Sequence, residues 1–339
     1  MRSSYKCSEN LVRRLYFLIY TKMSTKLCAQ ITRWISFAVE LQSTYIAVSV
    51  INGLCSFVAT VGNVIIILAI IKNSSLYTPS YALLCNLAVS DLGVGLISQP
   101  LFIALRIVEA RGDKYLSCKL GIAYFSTAGC LAWLSLLTIT AISFDRFLAV
   151  HLTTSYRSVV TLPRIKVTVT LLWLAAIVVG MTYVLDISVY FVLIMIIISV
   201  CLLFTTVNYL AIAQKLYGHS SQIRSHGKDA RDKRRMRKSF NIGQYKKTVK
   251  SMLYIYGVFL LCYLPYLCFT VALKSIGRTS SVHGAYLITA SFVLGNSAVN
   301  PCLYFWRIRE LRQAVQQLFG LGRLSIHDVT SASTSESKV

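Results

Sequence analysis

Seven times along this chain of 339 residues, the sequence runs for the thickness of a membrane with almost no charge. Stretches 41–71, 120–144, 167–185, 187–214, 251–273 and 284–306 contain no Asp, Glu, Lys or Arg, and 73–105 contains only Asp91. An α-helix rises about 1.5 Å per residue, so about 20 apolar residues cross a hydrocarbon core of about 30 Å. Each run meets that length. The division between the fourth and fifth rests on Asp186, because 167–214 is too long for one span and the segment from Gly180 to Ser188 offers a turn. The expected fold is all-α, a bundle of seven transmembrane helices.

Only 14% of residues are charged and mean hydropathy is +0.62, where a soluble domain carries about 25% charge. The 35 Lys and Arg against 12 acids would suggest a nucleic-acid partner on a soluble protein. Basic membrane loops explain the excess better, so no nucleic acid is expected. The side holding Lys72, 146–166, 215–250 and the tail after Trp306 carries 22 Lys and Arg, and the opposite loops carry 6. Basic loops stay in the cytoplasm, which predicts a multi-pass plasma-membrane protein with its N-terminus outside. Met1–Glu40 runs against that pattern with seven basic residues, and translation from Met23 is an alternative. The expected organisation is an extracellular tail over 1–44, a membrane domain over 45–319 and a disordered cytoplasmic tail over 320–339.

The polar residues inside the runs carry the functional signal. Asp91 lies mid-run, and an ionisable group at that depth marks a functional site by default because burying it unpaired is costly. Asn63, Ser135, Asn296, Ser297 and Asn300 are deep polar groups that can converge with it. Ser135 precedes Arg146 by eleven residues, about 16 Å along a helix, near the depth of Asp91. A carboxylate among neutral oxygens suits a small hard cation such as sodium. Pro265 and Pro301 interrupt the sixth and seventh runs and kink them, and Asn300 can solvate the freed backbone. No metal-ligand spacing appears among the ten cysteines. Of these, Cys7, Cys28 and Cys118 are placed to face an oxidising compartment.

Gly62-Asn63-Val64, Asn86-Leu87-Ala88-Val89-Ser90-Asp91, Asp145-Arg146-Phe147, Trp173, Cys262-Tyr263-Leu264-Pro265 and Asn300-Pro301-Cys302-Leu303-Tyr304 come in order along the runs. Together they resemble the signatures of a rhodopsin-like (class A) G-protein-coupled receptor across about residues 45–319. The resemblance implies a receptor, not an enzyme, that passes an extracellular ligand signal to a heterotrimeric G protein. It also implies an amphipathic eighth helix over 307–319. In its resting state Asp145 would hold Arg146; on activation Arg146 would swing toward Tyr209 and Tyr304 as the sixth helix moves outward. Leu136, Phe259, Tyr263, Pro265 and Pro301 would form the switch, and Asp91, Ser135, Asn296, Ser297 and Asn300 a sodium pocket. A seven-helix transporter and a non-signalling receptor-like binding protein are the alternatives.

Several positions depart from the family pattern. Phe147 stands for Tyr, Tyr263 for the usual Trp, and Cys201 for the fifth-helix Pro. The loop at Asp186 has no Cys, so the usual disulfide cannot form, and Cys118 is left free or paired with Cys7 or Cys28. The short loop and missing Pro look like the melanocortin, lysophospholipid and adenosine receptor branch. Ala128 at the amine-binding position argues against a biogenic amine, and Leu294 at the opsin lysine position against retinal. Tyr124, Thr127, Ala128, Tyr266, Thr270, Tyr286 and Ala290 are candidate pocket residues for a small molecule such as a nucleoside, a lipid or a small peptide.

The basic loop 215–250 suggests lipid headgroups, a G protein or arrestin as partners. No acid precedes the sixth run nearby, so Arg146 is expected to lack a salt bridge there and ligand-independent signalling to be raised. The Ser/Thr-rich tail suggests phosphorylation by a receptor kinase and arrestin binding. Ser337-Lys338-Val339 fits a C-terminal ligand of a PDZ protein.

Overall fold

In the computed structural model, residues 25–153, 155–225, 242–277 and 279–320 are described. Met1 to Ser24, Cys7 among them, the basic run 231–238, and the tail from 321 with its phosphorylation and PDZ expectations lie outside the described residues. So do the side chains of 216–252, which include the segment expected to lack an acid opposite Arg146.

All seven runs fold as helices: α1 (Gln42–Lys72), α2 (Pro79–Ala110), α3 (Lys114–Leu152), α4 (Leu162–Leu185), α5 (Ile187–Ser225), α6 (Ile242–Ile276) and α7 (Ser280–Arg307), followed by α8 (Arg309–Leu318). Among the described residues, six of these are long and apolar enough to cross a membrane, and α6 contributes the shorter apolar stretch Tyr256–Ala272. The helices outrun the charge-free stretches because a helix need not stop where the lipid does; local caps set the ends. Asp113 accepts from Leu116 N–H at 3.0 Å to start α3, and the Thr279 hydroxyl accepts from Val282 N–H at 3.3 Å to start α7. Pro79 and Pro163 sit in the first turns of α2 and α4, where no backbone N–H is needed.

The link between α4 and α5 is a single residue. Asp186 caps α5 by accepting from Ser188 N–H at 2.7 Å and Val189 N–H at 3.2 Å. These two donors hold its exposed carboxyl below the usual carboxylate range.

Inside α2, residues Val94–Ser98 form a π-helical turn just before Pro100. The wider turn accommodates a residue that cannot donate to the ladder. Gly95 there lies so close to α1 that an added Cβ would sit 2.8 Å from Thr60 Oγ1. Gly62 brings α1 against α7: a Cβ there would meet Pro301 Cγ at 2.7 Å. Trp173 of α4 donates to Asn86 Oδ1 at 3.0 Å, and Asn86 donates to Thr138 at 2.8 Å, which ties α4, α2 and α3. The most buried spans are α3 and α7, with α1, α4 and α5 more exposed around them.

Part of the expected N-terminal tail is built into the bundle. Residues 25–32 are helical and continue into a 3-10 turn at Arg33–Phe37. Cys28 is disulfide-bonded to Cys118 of α3, Ile31 is buried against Gly121, and the Trp34 ring stacks on His283 of α7 at 4.2 Å. At the opposite end α8 buries Leu311, Ala314 and Val315, and Tyr81 of α2 donates to its Glu310 at 2.5 Å.

Candidate functional site

A polar axis runs through the bundle, and its centre is Asp91. Its side chain is fully buried. Ser135 of α3 donates to Oδ1 at 3.1 Å and Ser297 of α7 at 2.7 Å, while Asn300 donates to Oδ2 at 2.7 Å. Ser90 meets Ser135 at 2.9 Å, and Asn63 of α1 donates to the Ser297 carbonyl at 3.1 Å. Three of the five neutral residues expected to converge with Asp91 therefore bond to it. Asn296 is buried beside them in α7, but its Oδ1 has no hydrogen-bond partner. The same is true of Oδ1 on Asn63 and Asn300. A buried carboxylate whose partners Ser135, Ser297 and Asn300 each carry a neutral oxygen is a ligand set that could hold a hard cation.

Nearer the α8 end, Arg146 is ion-paired with Asp145 and donates to the Ser80 hydroxyl. Asp145 is itself fixed from two sides: Ser80 Oγ donates to Oδ2 at 2.9 Å, and Tyr156 Oη donates to Oδ1 at 2.6 Å. Tyr156 comes from the short helix Tyr156–Val159. Ser80 and Tyr156 were not among the expected site residues. Only their hydroxyl chemistry marked them, and such residues are common. Tyr209 is buried with its ring 5.4 Å from that of Tyr256, and Tyr304 is fully buried with its hydroxyl unpartnered.

Toward the strap formed by residues 25–37 lies a cavity of about 60 Å³. Of the expected pocket residues, Tyr124, Ala128, Tyr266, Tyr286 and Ala290 line it. Thr127 and Thr270 do not: each hydroxyl donates instead to a carbonyl of its own helix, Ala123 and Tyr266 respectively, at 2.7 Å. Gly129 and Tyr190 also line the cavity, and a Cβ on Gly129 would sit 2.6 Å from Tyr190 Oη. Tyr263 forms part of the same wall, stacks on Phe259 at 4.1 Å and donates to the Ala132 carbonyl at 3.4 Å. Phe259 and Leu136 are buried together in the core. The cavity thus touches α6 two residues before Pro265.

Arg106 is a further departure from expectation. Counted with a loop from sequence, it is buried within α2 and pairs with Glu109 at 2.8 Å. Tyr45 of α1 donates to Glu109 at 3.1 Å, and His283 Nε2 lies 3.2 Å from the same hydroxyl. Because the single Tyr45 hydroxyl hydrogen goes to the carboxylate, His283 must donate through Nε2. The i,i+3 spacing of Arg106 and Glu109 was the available signal for this cluster.

Comparison with known proteins agrees with this architecture. The family model described as "7 transmembrane receptor (rhodopsin family)" matches residues 62–187 and 181–304. Adenosine receptor A3 of Ovis aries is 27% identical over 303 residues, covering 80% of this chain and 87% of the relative. Adenosine receptor A3 of Bos taurus is 37% identical over 151 residues, covering 43% and 44%. The crystal structure of squid rhodopsin superposes with a TM-score of 0.66 at 19% identity, covering 82% of this chain and 86% of that one. A membrane bundle of this form, matched by this family along most of its length, is a rhodopsin-like (class A) G-protein-coupled receptor: a multi-pass membrane protein that signals through heterotrimeric G proteins, and not an enzyme.

Proposed function

We propose that a ligand occupying the tyrosine-lined cavity drives signalling by repositioning α6 about Pro265 and releasing Arg146 from Asp145. One observation carries this reading: Tyr263 lines the cavity and stacks directly on Phe259 in the core, two residues before the proline. A ligand acts only through its different affinity for the closed and open bundles, so contact with a wall of the moving helix is what gives it leverage. With Arg146 free to turn toward Tyr209 and Tyr304, the α8 end opens for a G-protein segment. Pro301 and Asn300 supply the second bend, in α7.

The cavity walls present phenols and apolar side chains and no charged group, so they favour an uncharged ligand. The relatives named adenosine receptor make a nucleoside the first class to test, ahead of lipids and small peptides. Sodium would be held by Asp91, Ser135, Ser297 and Asn300 with Asn296 alongside, and would favour the closed bundle by neutralising the carboxylate. The strap faces outside and Arg146 the cytoplasm of the plasma membrane, in keeping with the basic loops. Arrestin and a receptor kinase would act on the Ser/Thr-rich tail, and a PDZ protein on Ser337-Lys338-Val339.

The test is G-protein activation in cells across nucleosides, lipids and peptides, with Arg146→Ala as control. A response in wild type that Arg146→Ala loses supports the reading. Identical responses from the two chains to every ligand overturn it.

A further inference from the structure

The outward face of α6 carries a recess of about 540 Å³ that the switch does not use. Tyr254, Gly257, Val258, Leu261, Leu264 and Pro265 line it, and its walls are almost wholly apolar. The residues recur at helical spacing, as Tyr254, Val258, Leu261 and Pro265 on one stripe with Gly257 and Leu264 on the next. Gly257 makes the floor low: a Cβ added there would meet nothing within 4 Å. From Leu253 to Pro265 the recess runs about 18 Å, roughly one leaflet of a core of about 30 Å.

A cation closes its α8 end. The Arg307 guanidinium lies 3.8 Å from the centre of the Tyr254 ring and 3.9 Å from that of Trp306, two rings inclined at 60° to each other, so it touches both a wall of the recess and the end of α7. It makes no ion pair among the described residues, and its Nε has no hydrogen-bond partner. Arg309 and Arg312 follow on α8, and the nearby acid Glu310 is engaged by Tyr81. Contact with two aromatic rings holds the guanidinium in place while its charge remains to attract a phosphate.

The geometry points to a binding site for an anionic phospholipid, with one acyl chain in the α6 recess and the phosphate on Arg307. A zwitterionic lipid fills the recess equally well but gains less from the guanidinium, so headgroup charge sets the preference. The site sits on the helix that carries Pro265, so a bound lipid stiffens the segment that the switch must move. It is independent of which ligand fills the central cavity.

The experiment is lipid retention by the purified full chain, read by native mass spectrometry from mixed micelles of phosphatidylserine and phosphatidylcholine with matched acyl chains. Wild type should retain phosphatidylserine about fivefold over phosphatidylcholine, the effect of about one basic contact. Arg307→Ala should erase that preference, and Arg307→Lys should keep much of it. Gly257→Leu, at a position where an added Cβ meets nothing within 4 Å, fills the recess and should lower retention of both lipids. Glycerol 3-phosphate, the headgroup without chains, should fail to compete. Equal retention of the two lipids by wild type overturns the assignment, as does wild-type retention by Gly257→Leu. Full displacement by glycerol 3-phosphate overturns it too, because phosphate alone would then suffice.

Discussion

Two carboxylates on the same helix, Asp91 and Glu109, meet the same difficulty in opposite ways. Both are buried, and an unpaired charge there costs several kcal/mol. Glu109 is answered with an opposite charge, Arg106 at 2.8 Å, and with the Tyr45 hydroxyl. Asp91 is answered only with neutral donors from α3 and α7. The first cluster is self-neutral and ties α1, α2 and α7 beneath the strap. The second pairs its carboxyl with no opposite charge among the described residues. The difference lies in what surrounds an otherwise similar group.

The sharpest way to break that contrast is Arg106→Ala. It strands Glu109, and the purified chain should lose about 3–5 kcal/mol of stability, read by thermal unfolding in detergent. The double change Arg106→Met with Glu109→Leu should recover most of the loss, since a matched apolar pair replaces a neutral unit. Asp91→Asn should leave stability nearly unchanged, because the amide oxygen can still accept from Ser297 and Ser135 and the amide nitrogen can donate to Asn300 Oδ1 once that side chain flips. It should instead remove the effect of sodium on agonist affinity, expected in wild type at about fivefold or more between sodium and a bulky organic cation. A sodium response that survives Asp91→Asn breaks the comparison. Tyr45→Phe takes one hydrogen bond from Glu109 and should cost about 1–2 kcal/mol, visible in the same melting assay. The smallest effect belongs to Asp186, which is exposed and therefore outside the contrast. Its carboxyl is held below its ordinary value, so its contribution as a cap is present above the ordinary carboxylate pKa and is lost as pH falls through the depressed one. Asp186→Asn should flatten that acid-side slope and lower the melt slightly at neutral pH, where the charged cap is lost.

How far each part could be read ahead depended on the length scale of its signal. The seven spans follow from runs of twenty or more residues without charge, a pattern that few alternatives produce. Asp91, Ser135, Ser297 and Asn300 could be brought together because helical rise converts sequence distance into depth, and depth is most of what a bundle specifies. Arg106 was missed for the converse reason: a charge at the end of a run reads as a loop, and only the packing of Tyr45 and His283 shows that it is buried. Whether Cys118 is free or paired with Cys7 or Cys28 stayed open, since 90 residues separate the bonded pair and no periodic pattern spans that interval. Thr127 and Thr270 lie at the right depth for the cavity, but their hydroxyls turn back to their own backbone. Depth alone does not give rotation.

The disulfide between Cys28 and Cys118 gives the strap two covalent anchors, one to α3 and one through its own continuation into α1. A single proteolytic nick anywhere between them would leave both fragments attached to the receptor. Shedding the upstream piece takes cleavage and reduction together, so neither a protease nor a thiol acting alone can detach this covering from the bundle.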